Sequence, residues 1–345
     1  MAKLNDVISL LRNDIRQGKY PAGKKFPSEY ELAESCAVNR ITVNKAVNML
    51  IKEGYLERAG STRAGTIVKS RRPFPEGIIG FVTSMRDYFS TSIASGAIKT
   101  AAMHNYLLSI VNPETEEIND TLHRMETAGF KGILSAHYGR LKTSLPAVYI
   151  DEDSLQDCPE CFQVRSDSYG GGCLIAEKVL ERGHRDIVYF TKSHSNLRVD
   201  LRRLGVTDTL KKHGISDPDS HCFAYNDISI HHCTLALKKI LSHYPDLTAI
   251  ICNTDYIAFN IISAGKNLGM DIPGKISVTG YGNVREIHQI YNLTTTNQHP
   301  FELGARACKK LIEITEGNAA MSAKTEMIEV ELINGNSIRK VTPAT

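Results

Sequence analysis

The sequence predicts an α/β protein in two parts: a small N-terminal module of three helices and a hairpin, then a doubly wound body of two lobes. Three observations carry this prediction. Helical and then strand-like periodicities succeed one another within the first seventy residues, some 260 residues of alternating strand and helix patterns follow, and the charge divides between the parts. Residues 1–72 hold 14 Lys and Arg against 7 Asp and Glu, whereas the remainder holds 27 against 31, within a net +3 for all 345 residues. A basic head on a mildly acidic body suits a polyanionic partner, because phosphate neutralisation supplies most sequence-independent affinity for nucleic acid.

In the head, Leu4, Val7, Ile8, Leu11 and Ile15 recur at helical spacing until Gly18, Pro21 and Gly23 end the pattern. Ser28 followed three places on by Glu31 is a capping box, which opens a short helix reaching about Ser35. Asn39 caps a third helix, with Val38, Ile41, Val43, Ala46 and Val47 as its apolar spine and a stop at Gly54. Tyr55–Arg58 and Thr66–Lys69 then read as two short strands around a small, basic, glycine-containing loop. Three helices and a hairpin in this order spell a winged helix-turn-helix, whose third helix lies in a DNA major groove. Arg40 suits guanine or phosphate, Thr42 and Asn44 suit base edges or phosphates, and Lys45 suits phosphate. The wing, Ser61 to Gly65, is small enough for close backbone approach and carries Arg63 for the adjacent minor groove. The plainer reading of these residues is a solvated helix face.

The head resembles the GntR family of bacterial regulators through Gly18–Gly23, Phe26–Glu29, Glu31-Leu32-Ala33, Asn39–Val43, Lys45-Ala46, Glu53–Leu56 and Gly65–Val68. That resemblance implies that positions 30 and 44 face DNA, and Ser28 is counted with them. This chain has Tyr30 where the family usually has arginine or a similar polar residue, and Asn44 where it often has arginine, so its operator sequence should differ from the familiar ones.

The domain limits expected are 1–70 for the head, 71–76 for a proline-containing basic linker and 77–345 for the body. Strands are expected at 77–83, 106–111, 132–135, 147–150, 186–190, 222–225, 248–252 and 276–280, and helices at 92–104, 115–129 and 168–181, with further helices between the later strands. Parallel sheets follow from this alternation, and ligands then sit at the carboxyl ends of the strands. His137, Asp151, Asp255 and the Tyr88-Phe89 pair all fall just after strands, and Arg202 begins a helix. Carboxylates, an arginine and aromatic faces suit a polyhydroxylated ligand, although each residue alone would more often be a cap or a surface group.

No nucleophile elbow, P-loop or zinc-protease motif occurs, so catalysis is not expected. Gly170-Gly171-Gly172 lacks the dinucleotide register and reads instead as close packing at a helix start. Eight scattered cysteines read as reduced thiols. Cys158-Pro159-Glu160-Cys161 has redox or half-zinc spacing, and His231-His232-Cys233 is similarly suggestive, but no second ligand pair follows either. No metal or cofactor is expected. The N-terminus shows no secretory signal and no stretch is apolar enough to span a membrane, so a cytoplasmic protein without membrane partners is expected.

From about 77 to 341 the body resembles the effector domains of LacI/GalR repressors, which share the periplasmic sugar-binding-protein fold. The residues that carry this are Asp167–Gly171, Gly183–Ile187, Arg202 with Gly205, Asn253–Ala258, Ile272-Pro273, Ile276–Tyr281, Leu293–Thr296 and Leu303-Gly304. The resemblance implies that Arg202 and Asp255 bind effector, and less directly that Asp151, Gln298, Tyr88 and Phe89 line the pocket. Gly280-Tyr281-Gly282-Asn283 replaces a segment that carries two carboxylates in the family. A GntR-type head on a LacI-type body is similar to the arabinose-repressor class of hybrids. It implies a homodimer on double-stranded, palindromic operator DNA, released by a small sugar, with L-arabinose ranked first and L-fucose or another monosaccharide next. A carbohydrate-binding protein or sugar-processing enzyme without regulatory role is the alternative.

Overall fold

The apolar stripe of the first helix, α1 (Ala2–Arg16), buries Val7, Ile8, Leu11 and Ile15 against α3 (Arg40–Lys52), whose inner face is Val43, Ala46, Val47 and Leu50. In this computed structural model, residues 2–16, 18–60, 65–69, 75–152, 155, 158, 160–193, 200–318 and 324–341 are described. α2 (Glu29–Ser35) opens on the expected capping box: the Glu31 amide donates to Ser28 Oγ at 3.2 Å and the Ser28 amide donates to the Glu31 carboxylate at 2.7 Å. At the start of α3 the Thr42 amide donates to Asn39 Oδ1 at 2.8 Å. β1 (Leu56–Arg58) and β2 (Thr66–Val68) pair antiparallel with Leu56 opposite Val68. All these elements share one hydrophobic cluster with Phe26, Leu32 and Tyr55, which makes the winged helix-turn-helix. Ile41 departs from the expected spine and is 69% exposed. A helix that buries 43, 46, 47 and 50 turns position 41 to its opposite side.

By packing, the chain forms two units, each assembled from three stretches: Met1–Ser84, Ala94–Val148 and Ala305–Ser322 in the first, Met85–Ile93, Tyr149–Gly304 and Ala323–Thr345 in the second. In the first unit β3 (Gly77–Val82) lies between β4 (Tyr106–Val111) and β5 (Gly132–Ser135), all parallel. α4 (Tyr88–Met103) starts four residues before the expected 92, because Asp87 caps it by accepting the Ser90 amide at 2.8 Å. α5 (Ile118–Thr127) buries Leu122 and Met125. β6 (Ala147–Ile150) is fully buried and crosses from one unit into the other.

In the second unit β8 (Ile187–Lys192), β9 (Cys222–Tyr225), β10 (Ala249–Cys252) and β11 (Ser277–Thr279) form a parallel sheet in the order β11-β10-β8-β9. Its two faces are covered by different helices, as the two-residue alternation of strand side chains requires. Val188, Phe190, Ile250, Cys252 and Val278 meet α8 (Ile230–His243) and α9 (Asp255–Asn267). Ile187, Tyr189, Ala249 and Ile251 meet α6 (Ser168–Glu181) and α7 (Leu201–Lys212). α10 (Arg285–Tyr291) and α11 (Pro300–Thr315) follow, the latter returning to the first unit. β7 (Phe162–Ser166), which the sequence did not announce, pairs in parallel with β13 (Lys324–Ile328), while β12 (Thr295–Asn297) and β14 (Glu331–Ile333) pair antiparallel. The fold class is therefore the α/β architecture expected. Among the described residues no helix is long and apolar enough to cross a membrane. One expectation about the cysteines is corrected: Cys158 and Cys161 are joined as a disulfide, with their Cα atoms 5.5 Å apart.

Candidate functional site

Two sites emerge, one on the head and one in the body. On the head, α3 presents Arg40, Ile41, Lys45 and Asn48 to solvent, with Thr42 and Asn44 partly buried at the same end. Tyr30 is 69% exposed on α2. Ser28 is exposed as well, although its hydroxyl serves the cap. Thr42 also turns inward, its hydroxyl donating to Asn39 Oδ1 at 2.9 Å. Asn44, expected to meet DNA, takes part in a polar relay: its amide donates to Glu29 at 2.7 Å and accepts from Asn48 at 2.9 Å, and Arg58 donates to Asn48 at 3.1 Å. Gly65 adopts the left-handed φ of 75° that a tight wing needs, while the predicted contacts Ser61 and Arg63 lie outside the described residues. Ile41 is an addition that apolar patterning hid, exposed beside Arg40 and chemically suited to a thymine methyl.

In the second unit the packing of α6 on α7 builds the body site. Gly172 faces the backbone of Arg202, and Gly205 faces that of Tyr169; a Cβ at either would strike the opposite chain. Gly172 thus seats the backbone of Arg202, within a triple glycine that the sequence marked only for close packing at a helix start. Arg202 Nη1 donates to the Asn253 carbonyl at 3.1 Å, and its guanidinium carbon lies 4.1 Å from the centroid of the Tyr281 ring. Asp200 caps α7 through the Arg203 amide at 3.0 Å and accepts from the Tyr189 hydroxyl and from Asn253, each at 3.0 Å. Burial opposes the charge on Arg202, but the nearby Tyr281, Asp151, Tyr189 and Asp200 outweigh it and leave its pKa raised. Burial pushes the Tyr281 hydroxyl up to about 12, so it stays a neutral donor.

Asp151, at φ 50° just after β6, accepts the Ser166 amide at 3.0 Å and its hydroxyl at 2.9 Å. Gln298 is buried and donates to the same Ser166 hydroxyl at 3.0 Å. Arg202, Asp151 and Gln298 are thereby brought into one polar neighbourhood with Tyr281 and Ser166, neither of which was singled out as a site residue.

Asp255 was expected to bind effector. It is fully buried at the first turn of α9, accepting the Val284 amide at 2.6 Å and the Thr295 hydroxyl at 2.5 Å, and burial raises its pKa. Its carboxylate fastens the 281–284 segment to β12 and presents no free oxygen to solvent. Tyr88 packs on the hydrophobic cluster of the second unit, and Phe89 is partly buried beside it in the first turn of α4. His137, at φ 74°, is exposed in the first unit. There the carboxyl ends of β3 and β5 carry the hydroxyls of Thr83, Ser84 and Ser135, which have no hydrogen-bond partner although Thr83 and Ser135 are fully buried. The signal that could have found them is a hydroxyl closing an apolar strand, as in Gly132-Ile133-Leu134-Ser135. Among the described residues no group of three or more His, Cys, Asp or Glu could hold a metal.

Residues 3–68 match the model of the bacterial regulatory proteins of the gntR family, and residues 176–338 match that of a periplasmic binding protein-like domain. The chain is 26% identical to the arabinose metabolism transcriptional repressor of Geobacillus stearothermophilus, over 95% of each chain. It is 24% identical to the protein of the same description from Halalkalibacterium halodurans, over 91% of this chain and 89% of that one. A LacI regulator structure from Bacillus cereus subsp. cytotoxis superposes with a TM-score of 0.68 at 22% identity, covering 77% of this chain and 99% of the other. A LacI family regulator from Enterococcus faecium with bound ribose superposes at 0.67 and 19% identity, covering 77% of this chain and all of that one.

Proposed function

We infer that this chain, which joins a gntR-family head to a periplasmic-binding-protein-like body, is a sugar-responsive DNA-binding repressor rather than an enzyme. The observation that carries the reading is the pairing of a capped, basic recognition helix with a body site whose polar groups are hydroxyls, an amide and a charge-balanced arginine. We assign operator binding to residues 1–70, effector binding to 77–345 and the connection to 71–76. Arg40, Ile41 and Lys45 read the major groove, Tyr30 flanks it, and Thr42 and Asn44 hold the helix in place. Arg202 and Asp151 grip vicinal hydroxyls of the effector, Tyr281 stiffens the arginine, and Asp255 positions the segment that carries Tyr281.

The protein acts as a cytoplasmic homodimer on a two-fold operator, so that both recognition helices dock one turn of DNA apart. Sugar favours a state of the body in which that spacing is lost. A coupling of ~1 to 3 kcal/mol is enough to weaken operator binding ~5- to 150-fold. L-arabinose is the first candidate, given the description of the relatives that align along nearly the whole chain, with L-fucose and other monosaccharides next. A thermal-shift panel of pentoses, hexoses and deoxysugars tests this, since a ligand of the folded state raises the melting temperature by mass action. A rise with one neutral sugar, and loss of operator binding at the same concentrations, is expected; a panel without any rise overturns it.

A further inference from the structure

We propose that Cys158 and Cys161 form a reversible thiol–disulfide exchange site that locks the turn leading into β7. The pair is closed as a disulfide across three positions of sequence, with Cα atoms 5.5 Å apart. Chemistry distinguishes it from most of the other thiols. Burial pushes Cys222 and Cys233 up to about 11 and Cys308 up to about 12, and raises Cys252 well above the ordinary range, which makes all four poor nucleophiles. Cys173 lies against the Gly205 carbonyl at 3.5 Å, and Cys36 stands far along the chain in the head. Among the described residues the other six cysteines are free, and Cys158 and Cys161 are the pair that is bonded.

The position of the pair gives the bond a consequence. Cys161 is buried and immediately precedes Phe162, the first residue of β7, the strand that carries Ser166 at its other end. The same strand accepts the Asp151 amide at Val164, 3.0 Å away, and its Gln163 side chain donates to the Leu155 carbonyl. Beside the disulfide, the Cys161 amide donates to the Cys158 carbonyl at 3.3 Å. Cys158 is the more exposed of the two and receives the first exchange. Its thiolate attacks a low-molecular-weight disulfide, forming a mixed disulfide and releasing one thiolate; the Cys161 thiolate then attacks the Cys158 sulfur and releases the second. The protein dithiol loses two electrons and the small disulfide becomes two thiols. The reverse sequence with a small thiol opens the turn.

The test uses the full-length protein equilibrated in graded mixtures of reduced and oxidised glutathione, then alkylated and weighed intact. A single two-electron transition that removes two alkylation sites, absent from Cys158→Ser and from Cys161→Ser, is expected. Hydrogen exchange of the Cys161 and Gln163 amides in the wild type should be about tenfold faster in the reduced form than in the oxidised form. Thiols that alkylate at every ratio, a glutathione adduct that persists on Cys158, or equal exchange in both forms would each overturn the proposal. None of these readouts depends on which effector the body binds.

Discussion

At Arg202, burial and charge pull in opposite directions, and the surrounding acids and phenols decide the outcome. Replacing it with methionine keeps the volume but leaves Asp151 and Asp200 without their counter-charge. Loss of a charged hydrogen-bonding group costs ~1.5 to 3 kcal/mol, so affinity for the sugar identified by thermal shift should fall ~10- to 150-fold in calorimetry, with operator affinity retained. An unchanged sugar affinity would remove Arg202 from the site. Asp255→Asn should act through the fold: the Val284 and Thr295 bonds weaken, and hydrogen exchange at Val284 should rise more than sugar affinity falls. His184 offers a pH prediction. It is fully buried between Thr248, Ser277 and the Arg339 carbonyl, and burial lowers its pKa below the ordinary 6.5. The folded state therefore binds fewer protons than the unfolded one at this residue. Its contribution to stability is present above pH 6.5 and is lost as pH falls through the lower folded value. Melting curves should show that loss on acidification, and His184→Gln should flatten part of it.

Among the elements, those whose start signals are local were legible. Both caps in the head fall where Ser28 and Asn39 predicted them. Asn39→Ala should cost about 1 kcal/mol by removing the acceptor for the Thr42 amide, measurable by urea unfolding of the full chain. Elements whose burial depends on distant partners were less visible. β7 was hidden because Gln163 and Arg165 interrupt its apolar pattern, yet both are buried once β13, more than 150 residues later, pairs alongside. The triple glycine was legible as packing but not as the seat of Arg202, since Gly172 meets its partner only when α6 crosses α7. The start of α4 was missed because the capping role of Asp87 was not read from the sequence.

At the scale of the molecule, the division into a basic head and an α/β body was plain from charge and periodicity, and the body's candidate residues were half legible. Position after a strand singled out Asp151, which lies bonded to Ser166, but it could not tell that Asp255 would turn inward or that Thr83 and Ser135 would be left with free hydroxyls. One link between head and body was invisible in the sequence. Arg16 at the end of α1 pairs with Glu76 and, at 2.5 Å, with Glu316, while also donating to the Tyr55 hydroxyl at 2.9 Å. Arg16→Met should lower stability by roughly 1 to 3 kcal/mol, because it removes the cation shared by the Glu76 and Glu316 carboxylates, and adding Glu316→Gln should recover part of that loss in thermal melts. Each unit is also stitched from three separated stretches of chain, and this sets an order of events during synthesis. The head holds its own apolar cluster within the first seventy residues, whereas the first unit lacks α11, whose Leu311 covers Gly132 of β5, until residue 315 has emerged. At ~5 to 20 residues per second a ribosome needs roughly 10 to 50 seconds to span that interval. During that time the nascent chain would carry a finished DNA-binding head with no sensor yet able to restrain it.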